Sequence, residues 1–337
     1  ALRCFPVGTL KNLRPGAVKG EQNNHQIYAD GFVLMFPFFE EGNLERLYDY
    51  DLPAMSQTPE VASTVIPVLN CPSNTNKENP YFERILSEGI SLAASIDPAY
   101  ATEFKMGPVL GLTDYVFSKG SNDGFCEVAL PGQSLDTSDG YALVSFVQRG
   151  MFDYHSIVKP AMVRDGQSNT FAIGEGAGGE HWALASCPDR GADPNCEQPY
   201  PYVPGTPFTD KPYFARQYWI GAGNTKQVQD AAQFYMTGVF ACTRDPLNKN
   251  PVTHFIYDGD ADTKDCRGSI PYPNRNDEAT LYNPDHSHRV PNFRSDHPGG
   301  GNFLYVDGHV EFKTDSIDTA TYRSLSTINA SDNVTGG

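Results

Sequence analysis

Apolar residues fall in short blocks along the chain, broken by Gly, Pro, Asn and Asp, a rhythm that suits a protein of many short strands and turns. The longest block, residues 31–39, is interrupted by Pro37. Asn43 then stands as an N-cap for a short helix through Tyr48. Residues 64–69 are β-branched and apolar and predict a strand running into the turn Asn70-Cys71-Pro72-Ser73. Residues 81–94 carry apolar positions at Phe82, Ile85, Leu86 and Ile90, near helical period, with Pro98 as a stop. Residues 109–117, 142–147 and 170–173 are strand candidates, as are the shorter 217–220 and 239–242. Towards the C-terminus, residues 302–306 and 309–313 flank Asp307-Gly308. That pattern predicts a β-hairpin closed by a two-residue type I′ turn, with both turn residues at positive φ. Asp315 or Ser316 can cap a following helix through Leu325, whose Ile317, Ala320, Tyr322 and Leu325 would pack on the sheet.

Composition narrows the picture. With 337 residues, one large elaborated domain over 1–337 is the expected organisation, and residues 176–283, rich in Pro and aromatics, read as an insertion within it. Acidic residues outnumber basic ones 41 to 25, giving a formal charge of −16. Such an excess repels nucleic acid and attracts cations. The apolar blocks are too short to span a bilayer. Seven cysteines without a CxxC arrangement argue against a zinc ribbon or a thioredoxin-like motif. Disulfides are the expectation, with Cys187–Cys196 and Cys242–Cys266 as loop-closing pairs and an oxidising compartment implied.

Several motifs recur in a known order. The stretch from His297 to Asp307-Gly308 leaves nine residues between histidine and aspartate. Asp165-Gly166-Gln167-Ser168-Asn169-Thr170 is followed by Gly174-Glu175, and Cys71-Pro72-Ser73 precedes both, after Phe5-Pro6-Val7-Gly8 and Phe36-Pro37-Phe38-Phe39-Glu40. Together these resemble the DUF1559 family of planctomycete-type bacteria, with its H-x9-DG ending, its DG-x-SNT…GE segment and its CPS turn. The resemblance runs from about residue 5 to about 328 and is poorest over 176–283. It implies a chain that starts just after a prepilin-type N-terminal helix, and a protein similar to type IV pilins and pseudopilins. The implied fold is α+β, a pilin-like antiparallel sheet with enlarged loops. The implied location is extracytoplasmic, membrane-anchored in the full-length form, with pilin-like assembly through that helix.

The candidate chemistry is spread over the chain. His297 and Asp307 are separated by a strand about 17 Å long, so they read as separate scaffold elements, Asp307 building a turn and His297 bonding backbone. Asp165 and Asn169 read the same way, and Gly308 as a turn residue. His286 and His288, with Asp285 and Asp296, begin a metal site without a third ligand at diagnostic spacing. Asp258, Asp260, Asp262 and Asp265 alternate as in a Ca2+ loop, but Thr263 and Ser269 stand where an EF-hand needs Gly and Glu. Trp182, Tyr200, Tyr202, Arg216, Tyr218 and Trp219 form a candidate ligand-binding set, since ring faces with a few polar donors suit a polysaccharide. The leading expectation is therefore a pilin-like or pseudopilin-like surface protein that assembles or binds a glycan. The alternative is a polysaccharide lyase acting on a uronic-acid polymer, with His181 or His155 as base and Arg216 or Asn224 neutralising the carboxylate.

Overall fold

The runs on either side of Asp307-Gly308 pair as an antiparallel hairpin, and the rest of the main sheet is built outward from it. The structure is a computed structural model that describes residues 4–11, 27–75, 78–84, 86–87, 90–91, 95, 98, 104–121, 146–153, 157–186, 198–199, 214–221, 239–250, 252–253 and 290–329. Its strands, in chain order, are β1 (Thr9–Lys11), β2 (Ile27–Asp30), β3 (Tyr81–Phe82), β4 (Val109–Leu110), β5 (Tyr115–Ser118), β6 (Phe171–Glu175), β7 (Leu184–Ser186), β8 (Gln198–Pro199), β9 (Phe240–Ala241), β10 (Val252–Thr253), β11 (Gly300–Tyr305) and β12 (Val310–Thr314). The main sheet has the order β12-β11-β6-β5-β9, antiparallel except for the β5–β9 pair. Small sheets β1-β2, β3-β4 and β10-β7-β8 surround it. The fold is thus mixed α+β and mostly strand. No helix among the described residues is long and apolar enough to cross a membrane.

Successive side chains on a strand point to opposite faces, and on the inner strands β5 and β6 and on β9 both faces are buried, whereas the edge strand β12 is mostly exposed. On one side Val116, Phe171, Ala241, Phe303 and Tyr305 form a cluster with Phe293 and Tyr322. On the other, Phe117, Ala172 and Phe240 join a larger core with Phe32, Phe36, Trp182 and Trp219. The first cluster is closed by helix α4 (Thr319–Ser326), whose Tyr322 meets the rings of Phe171, Phe293 and Phe303. The second is closed by helices α1 (Gly31–Leu34), α2 (Gly42–Leu47) and α3 (Pro59–Ala62) with the 3-10 turns between them.

Several local readings change. The hairpin turn is a three-residue loop: Gly308 N–H bonds the Tyr305 carbonyl and Tyr305 N–H bonds that of His309. Only Gly308 has positive φ, +94°, so Asp307 keeps an ordinary backbone and uses its side chain to accept the His309 N–H. This is a turn followed by a glycine bulge rather than type I′. Asp318 caps α4, not Asp315 or Ser316, because Asp315 still bonds Gly299 and a further turn intervenes. Helix α2 begins at Gly42 after Glu41, and Asn43 instead accepts from Arg46. Residues 64–69 are not a strand: Pro67 removes a ladder donor, and Pro67–Leu69 forms a 3-10 turn. The 81–94 segment opens as strand β3, and its described residues from Arg84 onward are helical, Pro98 included. Residues 109–117 split into β4 and β5 around Gly111–Asp114, where Trp219 presses on Gly111. Residues 217–220 make no strand, only an isolated bridge from Tyr218 to Leu112. Phe146–Gln148 is a 3-10 turn, and residues 142–145 lie outside the described residues.

Candidate metal centre

Three motifs distant in sequence meet at one end of the main sheet. The Cys71-Pro72-Ser73-Asn74 segment is a β-turn closed by Asn74 N–H to the Cys71 carbonyl, 3.1 Å. Asp114 holds this turn, accepting the Cys71 N–H at 2.6 Å and the Asn74 amide. Glu175 is the last residue of β6, placed opposite Tyr115 of β5. Its carboxylate is buried, and Asn302 at the start of the hairpin donates to both oxygens, backbone N–H at 3.0 Å and side-chain amide at 3.2 Å. Gly301 permits this approach, because a Cβ there would sit 3.3 Å from Glu175 Oε2. His297 is set by its own N–H donating to Ser295 Oγ, 3.0 Å, and Ser295 is fixed in turn by Asn248.

The side chains converge as a triangle. His297 Nε2 is 3.2 Å from Glu175 Oε1 and 3.6 Å from Cys71 Sγ, and Cys71 Sγ is 3.9 Å from the same Glu175 oxygen. Among the described residues this is the one His/Cys/Asp/Glu group whose ligand atoms lie that close together. Burial pushes the Cys71 thiol pKa up; the Ser73 and Asn74 amides pull it down, and the Glu175 and Asp114 carboxylates push it up again. The Tyr115 hydroxyl, beside Cys71 and Glu175, is pushed up to about 12, chiefly by burial. Thiol and carboxylate both face the same imidazole nitrogen. A nucleophile–base–orienter relay needs them on opposite nitrogens. The arrangement instead presents one sulfur, one nitrogen and one oxygen to a common point.

The other candidate residues are distributed differently. Asp307 lies at the far end of β11 from His297, bonded to His309 and, through its N–H, to Gln167. Gly166 at φ +96° and Asn169, whose amide bonds the Asp165 carbonyl, close a turn on which the hairpin rests. His297 does not bond backbone through its ring but meets Cys71 and Glu175. Trp182, Tyr218 and Trp219 are core residues: their polar atoms bond Asp296, Glu83 and the Thr64 carbonyl. Their faces are therefore used in packing rather than open to a ligand. Arg216 lies over the Tyr81 ring, 3.5 Å from its centre. His181 is exposed and meets the Trp182 ring edge-on. Asp296 accepts from Thr75 and Trp182, which commits it to scaffold. Tyr200, Tyr202, His155, Asn224, Asp258, Asp260, Asp262, Asp265, Asp285, His286 and His288 lie outside the described residues. No disulfide joins described cysteines; Cys4 and Cys71 are thiols, and Cys242 is buried with its sulfur 3.4 Å from the Val290 carbonyl. Cys126, Cys187, Cys196 and Cys266 lie outside the described residues.

Sequence reasoning missed Cys71 and Glu175 as site residues. The available signal was that each of these three motif blocks carries at least one potential ligand, Cys71 in the first, Asp165 and Glu175 in the second, His297 and Asp307 in the third. No curated protein and no solved structure matches the chain. The family model SBP_bac_10, described as a protein of unknown function (DUF1559), matches residues 1–320, and the chain belongs to that family.

Proposed function

We propose that the chain is a non-catalytic, pilin-like surface module that acts outside the cytoplasm and recognises a polysaccharide through its loops, with assembly into a pilin-like structure as its means of display. The observation that supports this most is how the motif side chains are used. Asn169, Thr170 and Asp307 all close or dock turns with their side chains, Asn169 on the Asp165 carbonyl, and the Cys71–Glu175–His297 triangle lacks the relay that a thiol nucleophile needs. The lyase alternative gains nothing from the described residues, where His181 meets Trp182 and Arg216 lies over Tyr81. Aromatic faces are nonetheless exposed at Phe38, Tyr50, Phe82 and Phe312, and rings of this kind stack on the apolar faces of sugars.

The test is incubation of the protein with a panel of neutral and anionic polysaccharides, following bound sugar, ultraviolet absorbance of unsaturated products and new reducing ends. Saturable binding without products is the expected result. Reproducible turnover of any polymer would overturn the non-catalytic reading, and absence of binding across the panel would overturn the polysaccharide.

A further inference from the structure

We propose that Cys71 Sγ, Glu175 Oε1 and His297 Nε2 bind one divalent zinc ion, which staples the Cys71 turn, the end of β6 and the approach to β11. This goes beyond the surface-module reading and does not depend on it.

The first argument is geometric. Zinc takes thiolate sulfur at about 2.3 Å and imidazole nitrogen or carboxylate oxygen at about 2.0–2.2 Å, so tetrahedral ligation sets neighbouring donor atoms about 3.3–3.7 Å apart. Of the three separations here, 3.6 Å falls within that range, and 3.2 and 3.9 Å lie within about 0.2 Å of it, a shift that small side-chain rotations supply. The second argument is charge. A thiolate and a carboxylate together carry two negative charges, which one divalent ion cancels. Among the described residues, the buried Glu175 carboxylate is met by the two Asn302 donors, by the His297 and Cys71 side chains and by the neighbouring Tyr115 hydroxyl, and by no fixed full positive charge of Lys or Arg. The third is chemical type. A mixed sulfur, nitrogen and oxygen set suits a borderline-soft ion, whereas Ca2+ and Mg2+ want oxygen alone.

The surroundings supply what a metal site needs beyond its ligands. Asn302 bonds the ligating Glu175 carboxylate and fixes its orientation, and Asp114 with Ser295 anchors the backbones of Cys71 and His297. The His297 side chain is 28% exposed, so the ion has a path in and solvent can take the fourth position.

The experiment uses the protein stripped with chelator under reducing conditions and titrated with zinc chloride by calorimetry. One zinc per chain is expected. Cys71→Ala and His297→Ala should each weaken it at least about 100-fold, more than the 10- to 100-fold typical of residues that only support a ligand. His309→Gln, at the far end of the hairpin, should leave it unchanged. Failure of the wild-type chain to bind zinc, or binding that survives both alanine variants, would overturn the site. Should those variants not fold, alkylation of the wild-type protein decides the matter by peptide mass spectrometry. Zinc should slow iodoacetamide labelling of Cys71 about tenfold or more while Cys4 labels at its own rate, because a metal-bound thiolate is withdrawn from reaction. Equal labelling of Cys71 with and without zinc refutes the proposal.

Discussion

At the scale of single residues, the chain uses short polar side chains to finish backbone that regular structure leaves open. Asp30 is the clearest case. It caps α1 by accepting from Phe32 and Val33 N–H at 2.9 and 3.1 Å, and its second oxygen accepts from Gly221 N–H at 2.6 Å. Burial pushes its carboxyl up to about 7 against those three bonds, which pull it down. A folded-state pKa above the unfolded value means that the native chain keeps a proton the unfolded chain has lost. The resulting stability is complete below the unfolded value of 3.8 and is lost as pH rises through about 7. A shift of that size corresponds to at most about 4 kcal/mol. Urea unfolding should therefore give a lower midpoint at pH 8 than at pH 5, and Asp30→Asn should flatten that difference; an equal pH slope in both proteins would remove Asp30 as its source. An Asp directly before an apolar block is a helix-start signal, but the reading of residues 31–39 gave Asp30 no role. Its burial, and the bond from Gly221 almost two hundred positions later, have no local signal.

At the scale of elements, Asp-Gly between two apolar runs located the hairpin and a short apolar run bounded by turn residues located β6, while details of their ends depended on neighbours. Strand β6 shows why. Gly174 pairs with Phe303 of β11 and Val116 of β5, and a Cβ there would fall 2.5 Å from the Phe293 ring and 2.8 Å from that of Phe303. Both rings are fully buried and have nowhere to retreat. Gly174→Ala should consequently cost about 1–3 kcal/mol through overpacking, seen as a lower denaturant midpoint with an unchanged slope. A neutral effect would mean that the rings can repack. Residues 64–69 illustrate the opposite failure of local reasoning. Their β-branched composition favours a strand, but Pro67 cannot donate to a ladder, and the Thr64 carbonyl is instead taken by the Trp219 indole.

At the scale of the molecule, two cores flank the main sheet, and buried polar contacts tie distant segments across it. The Lys119 ammonium meets the Asp153 carboxylate at 2.9 Å with both side chains almost wholly buried, linking the end of β5 to the segment that follows residue 146. Removing one partner of such a pair takes a close opposite charge away from a buried group. Lys119→Met is thus expected to destabilise by about 3–5 kcal/mol in chemical unfolding, and the double change Lys119→Met with Asp153→Leu should recover part of that loss. A single variant as stable as the wild-type chain would show that the pair contributes nothing net. Nothing in the local sequence marks Lys119 as buried, because a lone lysine beside a strand ordinarily points to solvent. The same holds for Trp182, Tyr218 and Trp219, whose clustering suggested a sugar platform until packing placed their rings in the core.

What the sequence determined alone was whatever depends on near neighbours: the short strands β6, β11 and β12, the glycine in the hairpin turn, the acidic charge, and the ordered motifs that mark the family. Only the tertiary structure decided which of those motifs meet. Cys71, Glu175 and His297 are separated by more than a hundred residues at each step, and their meeting is set by strand order and by the turns that Asp114 and Ser295 hold. Local preference fixes a strand or a turn; the approach of side chains from three segments is fixed by how the sheet closes on two cores, which no short window of residues encodes.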